Sequence, residues 1–68
     1  MNEDNLNMEI RKFLKKVGIT SQRIIENKIN EADKDGSIKL GDQIEIEMTL
    51  SIKNFQTMNK IDGKILID

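Results

Sequence analysis

The chain has 68 residues, which is one small domain near the lower limit at which a single core holds a fold. It contains no Cys, His, Trp, Tyr or Pro. Disulfides, thiolate and imidazole metal sites and His-activated nucleophiles are therefore excluded, and any core is aliphatic. The net charge of −1 hides an uneven distribution. Residues 9–28 hold six basic groups (Arg11, Lys12, Lys15, Lys16, Arg23 and Lys28) against Glu9 and Glu26, a local +4, whereas the remainder holds five basic and ten acidic residues, a local −5.

Leu6, Ile10, Phe13, Leu14 and Val17 follow the spacing of one helical face and predict an amphipathic helix over about 5–17. Gly18 is expected to stop it, because glycine accepts the left-handed conformation at a helix end. Thr20 or Ser21 then offers an N-cap oxygen, with Ile19 placed as a hydrophobic staple. Ile24, Ile25, Ile29 and Ala32 or Asp33 continue at helical spacing and predict a second helix over about 21–34, stopped at Asp35-Gly36.

Beyond this point the period changes to two. Ile44, Ile46, Met48, Leu50 and Ile52 alternate with polar residues and predict a half-buried strand over about 43–53. A loop over 54–57 leads to a second strand over about 58–67, in which Ile61, Ile65 and Ile67 alternate with Gly63 at the intervening inward position. Pairing residues whose numbers sum to 111 sets Leu50 opposite Ile61, Met48 over Gly63 and Glu47 opposite Lys64. A lone hairpin is marginal in water, so a short third strand at 37–40 is a candidate, giving a β-meander. The expected fold is α+β: two N-terminal amphipathic helices packed on one face of a small antiparallel hairpin or meander, ααββ or ααβββ, in a single domain over 1–68.

Three motifs carry chemical suggestions. The segment KKVGITSQRII resembles the turn of bacterial helix-turn-helix repressors, with Gly18 in the turn and Ile24 as an anchor. That resemblance would give base and phosphate contacts to Thr20, Ser21, Gln22, Arg23 and Lys28. Against it stand Leu14 where a small residue closes the helices, Asn27 at a later anchor position, the missing third helix and the acidic balance. Residues 31–42 resemble a calcium loop, with Glu31, Asp33, Asp35, Gly36 and Ile38 in order, but Asp42 replaces the usual Glu and no helix pattern follows. Glu45 and Glu47 are paired carboxylates on a face expected to be solvated, and Ser21 and Ser51 have no base to activate them. Neither catalysis, a metal nor a cofactor is expected.

The opening MNED, the stretch NMEIRKFLKKVGITSQR (residues 7–23) and MTLSI (residues 48–52) resemble a small uncharacterised proteobacterial family of about this length. The resemblance spans the whole chain, implies a stand-alone single domain and transfers no activity or site. No apolar run approaches the length that spans a bilayer, and the acidic N-terminus lacks the features of a signal peptide, so a cytoplasmic protein without membrane attachment is expected. An amphipathic membrane helix at 5–17 is set aside because its stripe is expected to cover the sheet. The function expected is protein interaction, with an unidentified partner or a homodimer. Lys60, Asp62 and Lys64 guard a sheet edge, and Phe55, Met58 and Leu66 are the candidate exposed patch. The alternative is nucleic-acid binding through Arg11, Lys12, Lys15, Lys16, Arg23 and Lys28.

Overall fold

In the computed structural model, which describes residues 1–68, the chain forms α1 (Glu3–Asp35), β1 (Gln43–Ile52) and β2 (Thr57–Leu66). These belong to two compact units, Met1–Ser37 and Ile38–Asp68. The first unit is the helix. Asn2 is extended (φ −90°, ψ 108°) and its side-chain oxygen accepts the Asn5 amide at 3.1 Å, satisfying one of the orphan donors of the first turn. Glu3 and Asp4 sit in that turn, where the positive end of the helix dipole favours them.

α1 runs without interruption through Gly18, Thr20 and Ser21 for 33 residues, roughly 50 Å. The two expected helices and the turn between them are therefore corrected to one helix. A turn at Gly18 would sacrifice several i→i−4 hydrogen bonds and expose a new set of unpaired amides. Keeping glycine inside the helix costs only about 1 kcal/mol. Packing the two halves against each other could repay a break, but no residue of α1 is buried. Without Pro the ladder has no steric reason to end.

The end at Asp35 is the expected one. Gly36 is left-handed (φ 79°), and its amide donates to the Asp33 carbonyl at 3.3 Å while the Ser37 amide donates to Ala32 at 2.9 Å. These paired bonds satisfy the last helical carbonyls, and a side chain at Gly36 would strain them.

The second unit is a two-stranded antiparallel hairpin. Its partners sum to 109 rather than 111, so Met48 faces Ile61, Ile46 faces Gly63, Glu45 faces Lys64 and Glu47 faces Asp62. The loop causes the correction. It comprises Lys53, Asn54, Phe55 and Gln56, closing one residue earlier than expected at each strand, with the Phe55 amide donating to Ile52 at 3.2 Å and Gln56 left-handed (φ 52°). Turn geometry fixes hairpin register, and moving the loop moved the ladder by one pleat repeat, which preserves which side chains face inward.

No third strand forms at 37–40. Lys39 to Asp42 instead makes a turn in which Asp42 donates its amide to the Lys39 carbonyl at 3.1 Å and its carboxylate accepts the Lys39 amide at 3.0 Å. Gly41 supplies the positive φ, 93°, that such a turn requires at its third position. The ladder continues beyond the strands, since Gly41 donates to Ile67 at 2.7 Å and Ile67 to Asp42 at 2.9 Å. No residue of the chain is buried, so the packed helix-on-sheet core expected from the sequence gives way to one long helix followed by a hairpin.

Candidate functional site

At about 100° per residue, Leu6, Ile10, Phe13, Leu14, Val17, Ser21, Ile24, Ile25 and Ala32 of α1 share an arc of roughly 120°. The stripe keeps one phase from Leu6 to Ile25, and Ile29 falls roughly 40° beyond its edge, at the angle of Arg11. Its large members remain open to solvent, with Leu6 40%, Ile10 46%, Leu14 50%, Ile24 54% and Phe13 58% exposed. On the opposite side, Arg11, Lys12, Lys15, Lys16 and Arg23 share an arc of roughly 140°. The sixth candidate cation, Lys28, lies at the angle of Ile10, inside the apolar stripe.

The ion pairs on α1 are local. Lys12 lies 3.7 Å from Glu9 and Lys28 lies 3.7 Å from Glu31, both i,i+3 pairs on exposed side chains that contribute little stability. Glu26 accepts the Gln22 side-chain amide at 2.8 Å. Thr20, Ser21, Gln22 and Arg23 are interior helical residues, so the turn and recognition helix of the repressor resemblance are absent. Five of the six candidate cations are brought to one side, and Lys28 is not.

The hairpin also sorts its residues by parity. Ile44, Ile46, Met48, Leu50 and Ile52 of β1 share a face with Ile61, Gly63 and Ile65 of β2, and this face carries no charged residue. The other face carries Glu45, Glu47, Lys60, Asp62 and Lys64. Glu47 stands opposite Asp62, a like-charge pairing, and the diagonal Lys60 ammonium offsets it by reaching Glu47 at 3.6 Å. Glu45, Glu47, Asp62, Gly63 and Lys64 line a surface depression in which no polar side chain is buried. Phe55 (72% exposed) is in the loop and Met58 (67%) lies just beyond it. Leu66 (56%) is at the far end of β2, roughly 27 Å from Met58 along the strand, so the three do not form one patch.

The calcium-loop residues are dispersed into other tasks. Glu31, Asp33 and Asp35 are helical, Glu31 pairs with Lys28, and Asp42 caps the Lys39 turn. Asp35 accepts both the Ser37 hydroxyl and, at 2.9 Å, the Ser37 amide, and these bonds hold its carboxyl below the usual carboxylate range. No group of three or more acidic side chains is arranged to hold a metal ion. Sequence reasoning missed two features: the position of Lys28 within the stripe, which a helical projection continued across Gly18 exposes, and the Asp42 cap of its own turn, which Gly41-Asp42 could have signalled.

No helix is long and apolar enough to cross a membrane. No curated protein and no solved structure matches the chain. Residues 1–68 match, and the chain belongs to, a family described as a family of unknown function (DUF6494).

Proposed function

We propose that this is a non-enzymatic protein-interaction domain whose hairpin offers its apolar face to another protein, in the first instance a second copy of itself. The observation that carries the reading is that face: Ile44, Ile46, Met48, Leu50, Ile61 and Ile65 are aligned by the ladder, yet none is buried. An isolated two-stranded hairpin is marginal in water, so covering this face is the direct route to stabilising it. Because the face has no charged residue, it can meet its own copy across a two-fold axis without a like-charge cost. A cytoplasmic setting belongs to the proposal. A chain this small that carries 34% charged residues and no Cys lacks the disulfide framework usual in small secreted domains.

Sedimentation velocity across a concentration series tests the reading. The chain should self-associate, and Ile46→Lys with Ile61→Lys should return it to monomer. A wild-type monomer at every concentration that also captures no protein by crosslinking in cytosol would overturn it.

A further inference from the structure

We infer that residues 6–25 of α1 form a docking surface for an anionic lipid surface, lying along it rather than crossing it. This inference goes beyond the hairpin reading and does not depend on it. Two observations meet on the same stretch. Residues 6–25 contain five basic residues, Arg11, Lys12, Lys15, Lys16 and Arg23, against one acidic residue, Glu9, which lies 3.7 Å from Lys12. Ile10, Phe13, Leu14, Val17, Ile24 and Ile25 occupy the other side of the helix, and none is buried.

Each alternative occupant satisfies only one of these features. A nucleic acid would neutralise the cations but leave the apolar stripe in water. A second copy laid along the stripe would cover it but leave the cations, on the far side of each helix, unmatched by any negative charge. An anionic bilayer surface satisfies both. The apolar arc enters the boundary between headgroups and acyl chains while the cations on the helix flanks and back remain within the reach of its negative potential. Either attraction alone gives weak attachment, and the two together are the combination that peripheral helices use. Arg11 and Lys16 are closest to the rim of the stripe, and their long side chains extend toward headgroups while their stems cover apolar surface. No helix is apolar enough to span, consistent with the surface orientation. No residue of α1 is buried.

Flotation of the full chain with vesicles tests the inference, using phosphatidylcholine alone and phosphatidylcholine with roughly a third phosphatidylglycerol. The chain should float with the anionic vesicles and not with the neutral ones. Lys15→Glu with Lys16→Glu should weaken binding at least about tenfold, and the conservative Lys15→Arg with Lys16→Arg should retain it. Phe13→Ser with Leu14→Ser, which leaves the charge unchanged, should also lose at least about tenfold. All four side chains are exposed, so circular dichroism should show the helix intact in each variant.

Equal binding to neutral and anionic vesicles, or no loss on charge reversal, overturns the inference. So does duplex DNA binding that survives the serine variant in a chain that ignores vesicles, which assigns the cations to nucleic acid. The dimer-breaking Ile46→Lys with Ile61→Lys should still float, so the lipid surface and the hairpin interface can fail separately.

Discussion

The helix and the hairpin each present one apolar face, but different kinds of bond hold those faces in place. In α1 every interior amide is paired with a carbonyl four residues away, so the alignment of Leu6 with Ile24 depends only on an unbroken local ladder. In the hairpin the alignment of Ile46 with Gly63 depends on a partner seventeen residues away and on the loop that brings it there. A weak residue inside the helix costs its own propensity and leaves the phase intact. A shift in the loop re-pairs every residue of both strands. Local order therefore tolerates an error that non-local order amplifies.

The most severe way to break the contrast is to insert Pro at position 18. If α1 is continuous, Gly18→Pro removes a hydrogen bond and introduces a clash, costing about 3 kcal/mol, with a large loss of ellipticity at 222 nm. A chain that turned at residue 18 would tolerate it. Gly36→Ala comes next. Its left-handed φ of 79° should make the substitution cost about 1–2 kcal/mol in thermal unfolding followed by circular dichroism, although the added methyl meets no neighbour within 4 Å.

The converse experiment sharpens the comparison. Gly18→Ala should stabilise α1 by about 1 kcal/mol, because the site is helical and the methyl meets nothing within 4 Å. Gly63→Thr should help the hairpin by up to about 1 kcal/mol for the parallel reason, since the strand gains a branched side chain in open space opposite Ile46. A loss of stability in either variant would place a neighbour where the structure has none.

The smallest effect concerns pH. Hydrogen bonds from Ser37 lower the pKa of Asp35, so its contribution to the helix end is full above the unfolded value of about 3.9 and is lost as pH falls through the lower folded value. The Ser37 amide resonance should therefore shift in that acidic window, and Asp35→Asn should abolish the transition without affecting the hairpin.

The same contrast governs how much of the molecule was legible in the sequence. Strict alternation from Ile44 to Ile52 identified β1 because a period of two is a property of the segment alone. The helix stop at Asp35-Gly36 was equally local, with glycine supplying the left-handed residue. Gly18 was misread because a glycine followed by Thr20 and Ser21 offers the parts of a turn without requiring one. The overlooked counter-signal was the unbroken phase of Leu14, Val17, Ser21 and Ile25, which a genuine turn would have reset. The register error came from the loop, where Gln56 accepts a left-handed conformation that composition does not announce. Ile38 and Leu40 suggested a strand by alternation, but Gly41 and Asp42 had the stronger local claim through their turn. Among the candidate site residues, the six cations were legible from the charge count of residues 9–28, but the side each takes was not, because it depends on the helical phase running through Gly18. The two ends of the Met58–Leu66 pair were separated by a strand length that no hydropathy pattern measures.

Lys28 has a consequence for how far any cover can extend along α1. It stands in the middle of the stripe with Glu31 beside it, so a surface that enclosed residues 6–25 would have to strip a charged pair of water to advance further. The helix is thereby zoned, with an anchoring length toward its N-terminal side and a solvated stem beyond. A protease that cuts after basic residues would read this boundary directly: protection at Lys15 and Lys16 in the docked state, and continued cleavage at Lys28 and Lys34.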